Sequence, residues 1–293
     1  MTGQLLICFD SSWPGAKSRV DLLLRAAGKA KAPAIELDSV AYDFSLLENW
    51  KYGPKDFFYA ATPFSSHELE RELFFRNVTS FYSTLNLPNM LVKSTTEQNV
   101  ALSAAGIPMP KTVMEGTDNP KLLKKYVEFL GGFPMVLKIK GGSRGVGVIK
   151  VDSWQGLTSL AEYLVDQGES FVLSQYIENR GTIRSVVLGD EVLCHVMRAN
   201  PQNEFRCSSP KRKHIEEIVH PHQRLNEIAI AASKAVNFEF VGVDIVQDSK
   251  GNYYVLELNY PHDFVSPQEF TGIDIAEFAV KYLIKKARAR NSG

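Results

Sequence analysis

The sequence predicts a mixed α/β protein: a small open α/β layer, then a compact α+β unit, then an antiparallel β-rich unit. Three observations carry this reading. Strand-like and helix-like segments alternate over residues 1–90, a glycine-bearing hairpin lies between helices in 91–170, and strand-like runs crowd 171–293. A length of 293 residues suits two or three units, each expected to hold a core of its own.

The elements follow in order. "QLLICF" reads as a buried strand, and "SRVDLLLRAAGKA" as a helix with Val20, Leu23, Leu24 and Ala27 at helical spacing. "AIEL" and "DFFYAA" are further strands. "SSHELERELFF" is a helix with Ser66 as its N-cap and Leu69, Leu73 and Phe74 on one face. "FDSSWPGAK" after the first strand is no GxGxxG, so a dinucleotide fingerprint is absent. "NLPNM" marks a boundary. Helix "STTEQNVALSAAG" ends at Gly106 before "IPMP". Strand "KTVM", helix "NPKLLKKYVEFLGG" with Pro120 in its first turn, strands "PMVLKIK" and "VGVIKV", and helix "SWQGLTSLAEYLVDQG" complete the middle unit. Strands "FVLSQYI", "IRSVVLG", "EVLCHVMRA", "FVGVDIVQ" and "YYVLELN" follow, interrupted by helix "QRLNEIAIAASKAV" and closed by an amphipathic C-terminal helix.

Composition excludes several classes of function. Lys plus Arg and Asp plus Glu number 33 each, so no global field draws in nucleic acid or a membrane surface. No apolar run approaches the ~18 residues of a membrane-spanning helix, and "MTGQLLICFDSSWPG" lacks the basic start of a secretory signal. Cys8, Cys194 and Cys207 form neither a disulfide framework nor a CxxC pair. The expectation is a cytoplasmic protein without nucleic-acid or membrane partners; homo-oligomerisation stays open.

"VLKIKGGSRGVGVIKV" is the first motif with chemistry in it. It lacks the GK[ST] of a Walker A loop, and it runs into a β-branched strand, so a helix dipole cannot serve a phosphate here. Gly141, Gly142, Gly145 and Gly147 can still turn backbone N–H groups toward an anion. Lys138 and Lys140 fall on one strand face, with Arg144 at the tip. Taken alone, the loop also fits a flexible solvated hairpin.

"VGVDIVQDSKGNYYVLELN" is the second. Turn chemistry in "DSKG" joins two strands. Matching apolar faces through a four-residue loop pairs Gln247 with Asn252, Asp244 with Val255 and Gly242 with Glu257. Tyr254, Leu256 and Leu258 then form the apolar face, opposite Val255, Glu257 and Asn259. Asp244 lies diagonal to Glu257, about 7–8 Å away along the backbone, with Asn259 beside them. Three hard oxygen ligands suit Mg²⁺. A solvent-facing polar sheet side is the plain alternative.

In order along the chain, "KSTT…AAGIPMPKT", "PMVLKIKGGSRGVGV", "FVLSQYIE", "TIRSVVLGDEVLCHVMR…NEFR" and "VGVDIV…YYVLELN…TGIDIAEF" resemble the ATP-grasp superfamily, above all its RimK-type carboxylate–amine ligases. The resemblance implies an ATP-grasp fold with ATP between the last two units. It implies that Lys93, Lys138 and Lys140, with Gly142, Ser143, Arg144, Gly145 and Gly147, hold the phosphates. Gln175, Tyr176 and Ile177 would line the adenine pocket, mainly through backbone groups. Asp244, Glu257 and Asn259 would ligate two Mg²⁺ ions, for which Mn²⁺ could substitute. Arg184 and Arg206 would meet the γ-phosphate or an acyl-phosphate, supported by Arg198. The implied activity is amide formation through an acyl-phosphate between a peptide or small-molecule carboxylate and an amine. A ring-closing or ester-forming peptide ligase and a nucleotide-binding module without turnover are the alternatives. The chain departs from the family's pattern at Gln175, at Thr182, in "YPHDF" after Asn259 and in "SSPKRKH" after Arg206. His262, Asp263 and the basic run Lys211 to His214 therefore stand as candidates for an acceptor site, against a plain turn and a solvated loop.

Overall fold

In a computed structural model, residues 3–62, 67–82, 94–141, 145–200, 205–206 and 215–290 are described. The order is β1 (Leu5–Phe9), α1 (Ala16–Lys29), β2 (Ala34–Asp38), β3 (Phe57–Ala60), α2 (His67–Phe75), α3 (Thr95–Ala104), β4 (Thr112–Val113), α4 (Pro120–Leu130), β5 (Met135–Ile139), β6 (Val148–Val151) and α5 (Trp154–Asp166). Then come β7 (Phe171–Gln175), β8 (Gly181–Leu188), β9 (Glu191–Ala199), β10 (Ile215–Ile218), α6 (Gln223–Ala235), β11 (Phe240–Gln247), β12 (Tyr253–Asn259), α7 (Val265–Thr271) and α8 (Ile275–Arg290). Ser66, the expected cap of α2, lies outside the described residues.

Three sheets result. The first is parallel, in the order β2-β1-β3. The second, antiparallel, runs β4-β7-β5-β6, and the third, also antiparallel, runs β10-β9-β8-β11-β12. Local chemistry explains the joints. Ser94 and Glu97 form a reciprocal capping box that starts α3. Asn119 caps α4 with Pro120 behind it, and Gly131, at φ 91°, ends that helix.

The cores correct two expectations. Strand β7, assigned from sequence to the last unit, pairs with β4 and β5 in the middle sheet, because its apolar Phe171 and Leu173 face the core under α4 and α5. Nor are the cores confined to single units: one face of the first sheet keeps a core of its own around Leu6, Cys8, Phe58, Leu69 and Leu73, but the other face does not. Leu5, Ile7, Tyr59 and Phe81 of the first sheet and its flank pack in one cluster with Phe238, Phe240, Tyr260 and Phe264. Tyr82 bridges to Phe238, and Lys286 binds the carbonyls of Ser80 and Tyr82. Lys29 of α1 grips Asp274 and Glu277 at the start of α8. The first and third sheets therefore share a continuous interior, while the middle sheet has a separate one. Helix α3 also joins the third sheet: Leu102 is buried in the shared core, and α3 lies on β12 and α6.

Candidate active site

The two motifs face each other across one cleft. From the glycine ribbon Val136, Lys138, Gly145 and Val148 line it; from the acidic ribbon come Asp244, Val246, Leu256 and Glu257. About 1000 Å³ of space, open solvent included, lies between the two ribbons.

Strand alternation places the glycine ribbon's groups. Lys138 pairs with Val148 and Val136 with Lys150, so these four share a face. Lys150 was not foreseen: its ammonium sits 4.7 Å above the Tyr176 ring. Its place on the Lys138 face was the signal available in the sequence. Gly145 and Gly147 have φ of 74° and 78°, and a Cβ on Gly147 would lie 3.2 Å from Ile139 Cβ. Lys140 differs from expectation. It falls past the end of β5, where the alternation no longer governs it, and its ammonium pairs with Glu115 instead of lining the cleft. Lys93, Gly142, Ser143 and Arg144 lie outside the described residues, as do Cys207 and Lys211 to His214.

At the end of β7, Gln175, Tyr176 and Ile177 line the same cleft, with Met109, Thr112 and Ser174 beside them. Thr112 and Ser174 share a hydroxyl–hydroxyl bond of 3.1 Å. The backbone here is already engaged: Gln175 N–H donates to Lys111 O, and Ile177 O accepts from Asn179.

The acidic ribbon departs from its expected register. Its loop takes in Asn252, because the Asp248 carboxylate accepts from the N–H of Lys250 and of Asn252 and from the Asn252 amide. Gln247 then pairs with Tyr253 and Ile245 with Val255. A bulge at Leu256 restores the odd sum, so Asp244 stands directly opposite Glu257, and Gly242 opposite Asn259. Val255 thereby turns into the core beside Ile245 while still bordering the cleft, which Leu256 also lines. The bulge brings the two carboxylates closer than the expected diagonal.

Hydrogen bonds then knit the cluster. Arg184 stands opposite Asp244 in register on β8 and donates from Nε to Oδ1 at 2.6 Å and from Nη2 to Oδ2 at 2.9 Å. Asn259 Nδ2 donates to Asp244 Oδ2 at 3.0 Å and to Glu257 Oε1 at 3.5 Å. Burial and the Asp244 charge push the Glu257 carboxyl above the ordinary glutamate range, against the pull of Lys138 and Arg184. Arg206 lines the cleft and donates to Gly145 O at 3.2 Å, a direct contact with the glycine ribbon. Arg198 instead pairs with Glu216 at 3.4 Å and, like Arg184 and Asn259, is not among the lining residues.

One positioning group escaped the sequence reading. β12 is an edge strand, and the Gln98 side chain of α3 closes it. Nε2 donates to Leu258 O at 2.8 Å and Oε1 accepts from Leu258 N at 2.9 Å, between Glu257 and Asn259. Behind the site His262 is fully buried against the Phe240 ring, its centroid 4.4 Å away. Burial and the charges of Arg184 and Arg19 hold its imidazole well below the usual value. His262 is thus a core residue of the turn, whereas Asp263 stays part-exposed, 3.9 Å from Arg19.

Among the described residues no cluster of three or more His, Cys, Asp or Glu could hold a metal ion. Two carboxylates and an amide within hydrogen bonds of one another still suit a hard cation that draws its other ligands from water and phosphate. The residues present therefore fit Mg²⁺.

Comparison with known proteins bears on the family and the fold. The profile of the RimK-like ATP-grasp domain matches residues 93–283. A probable alpha-L-glutamate ligase 2 of Shewanella amazonensis is 30% identical over 194 residues, covering 65% of this chain and 63% of its own length. A probable alpha-L-glutamate ligase of Legionella pneumophila is 31% identical over the same shares of each chain. The match thus spans somewhat under two thirds of these relatives. Among solved structures, ATP-grasp ligase PsnB complexed with a phosphomimetic variant of minimal precursor, Mg and ADP superposes with a TM-score of 0.74 at 16% identity, covering 98% of this chain and 99% of that one. D-alanine–D-alanine ligase of Bacillus anthracis gives 0.72 at 19% identity, covering 99% of both. At these identities the likeness is one of fold.

Proposed function

We propose that this chain, which belongs to the RimK-like ATP-grasp family, is an ATP-dependent ligase that joins a carboxylate to an amine through an acyl-phosphate. One observation carries the reading: Lys138 and Gly145 of one ribbon and Asp244 and Glu257 of the other line a single cleft. ATP would lie there with its base against Tyr176, Ile177 and Met109. The carboxylate oxygen attacks the γ-phosphorus, the bond to ADP breaks, and an acyl-phosphate forms. The amine nitrogen then attacks the acyl carbon, phosphate leaves, and the amine loses a proton.

Little covalent work falls to the protein, so its residues position and neutralise. Lys138 and the turned backbone at Gly145 and Gly147 would hold phosphate oxygens. Arg206, on the cleft wall, would neutralise the transferred group with Arg184. Arg198, held by Glu216, supports from the neighbouring strand. Asp244, Glu257 and Asn259 would hold two Mg²⁺, which supply charge neutralisation at the phosphates. The glycine ribbon would cover the acyl-phosphate against water. Lys93, Ser143 and Arg144 join the phosphate set in this proposal on resemblance alone.

The curated relatives are named probable alpha-L-glutamate ligases, and another PsnB structure is complexed with precursor peptide PsnA2. Both support an amino-acid or peptide substrate. The test is ADP release from MgATP with candidate amino acids and peptides, followed by mass analysis of the product. The reading expects carboxylate-dependent ADP release and a product lighter by one water than its two reactants. Loss of water within a single peptide would mark ring closure, and nucleotide binding with no carboxylate-dependent turnover would overturn the ligase.

A further inference from the structure

Asp244 carries more bonds than a vacant ligand would. Both of its oxygens accept from Arg184, and Oδ2 also accepts from Asn259. The two side chains of the ion pair are 7% and 8% exposed. Three of the carboxylate's four lone-pair sites are thus taken, so a cation that engages both of its oxygens must displace an N–H donor. Gly242 makes the arrangement fit. It lies two residues before Asp244 on the same face of β11, and a Cβ there would sit 2.8 Å from both Cδ and Nη1 of Arg184. The bare Cα is what lets the guanidinium lie flat along the strand.

We propose that the Arg184 guanidinium is the resident counter-ion of the acidic ribbon, that a divalent ion entering with nucleotide replaces it on Asp244, and that the guanidinium so released is the one that meets the transferred phosphoryl group. Gly242 is the positioning residue that holds it in the resident place. The proposal rests on reading Asp244 as a metal ligand. Its logic is conservation of partners. A buried carboxylate left without a cation, or a buried guanidinium left without an anion, is strongly disfavoured. A bare divalent ion offers Asp244 a new partner and strands Arg184. A metal–nucleotide complex supplies both, since phosphate oxygens accept the same two-pronged donor. Metal and nucleotide binding are therefore coupled, each favouring the other by the same factor.

Mn²⁺ titrated into the full chain, read by electron paramagnetic resonance of the free ion, tests this with and without ADP, the Mn²⁺ that ADP binds in protein-free controls being subtracted. Wild type should bind Mn²⁺ alone weakly and at least about tenfold more tightly with ADP, the worth of one charge-assisted hydrogen bond. Arg184→Gln should bind Mn²⁺ alone about tenfold more tightly than wild type, on the same scale. Gly242→Ala, which crowds the guanidinium yet keeps its charge, should move in the same direction, so long-range charge cannot be the cause. Wild type that binds Mn²⁺ equally well with and without ADP overturns the proposal. So does a folded Arg184→Gln or Gly242→Ala protein with unchanged or weaker affinity for Mn²⁺ alone; if one variant fails to fold, the other decides. If Mn²⁺ with ADP binds Asp244→Asn as well as wild type, the reading of Asp244 as a ligand falls, and the proposal falls with it.

Discussion

Replacing Gln98 should damage the site from a distance. Its carboxamide does for the Leu258 backbone what a neighbouring strand would do, giving one donor and one acceptor at 2.8 and 2.9 Å in an environment where the side chain is 3% exposed. Gln98→Met fills similar space and makes neither bond. Two buried backbone groups lose their partners, at about 1–3 kcal/mol each, so a destabilisation of about 2–6 kcal/mol is expected. Urea denaturation should show the midpoint fall with little change in slope. Because Glu257 and Asn259 flank Leu258, affinity for MgADP by calorimetry should fall as well, by about tenfold or more for a misdirected charged contact. Gln98→Glu separates the two bonds. When ionised, the introduced carboxylate accepts from Leu258 N–H but faces Leu258 O with a second acceptor; protonated, it can donate again. Its folded pKa is therefore raised, its contribution is fully present below the ordinary glutamate value near 4.3, and it fades as pH climbs through the folded value. Gln98→Glu should thus approach wild-type stability as pH falls. If both variants keep wild-type stability and MgADP affinity at neutral pH, Gln98 does not hold the ligand strand.

Other outcomes follow from the same geometry. Glu257, raised by burial and Asp244, must be ionised to take a cation, so Mn²⁺–ADP affinity should fall with decreasing pH from above the ordinary glutamate range. Glu257→Gln should flatten that dependence in calorimetric titrations. His262 has a depressed folded pKa, so its contribution to stability is present above the unfolded value near 6.5 and is lost as pH falls toward the folded one. Thermal melts of His262→Leu should therefore lose less stability than wild type between pH 6.5 and 5. Ser94→Ala removes the capping box of α3 and should cost about 1 kcal/mol in urea melts.

Much of this was readable before any coordinates, and the gaps have physical causes. The glycine ribbon and the acidic ribbon stood out because each packs an unusual residue set into two alternating strands, and alternation carries Val136, Lys138 and Asp244 to their faces. The bulge at Leu256 did not stand out. It depends on Asp248 gathering Asn252 into the loop, a choice among turn lengths that face-matching alone does not make. Strand β10 escaped notice because "IEEI" is a charged edge segment without an apolar alternation, and α7 because "VSPQEFT" is short and carries a proline. The shared core was invisible for another reason. Phe81, Phe238 and Tyr260 each look like ordinary local core, and only the tertiary arrangement stacks Phe238 on Tyr260 at 4.7 Å beneath the first sheet. Gln98 sits in an unremarkable helix, and nothing in its neighbours announces a partner 160 residues away.

A crystal structure of the full chain with MgADP bears most directly on the account. The phosphates should lie between Lys138 with the Gly145–Gly147 turn on one side and Asp244 with Glu257 on the other, the base resting against Tyr176. Nucleotide density anywhere else, or phosphates touching only one of the two ribbons, would contradict it.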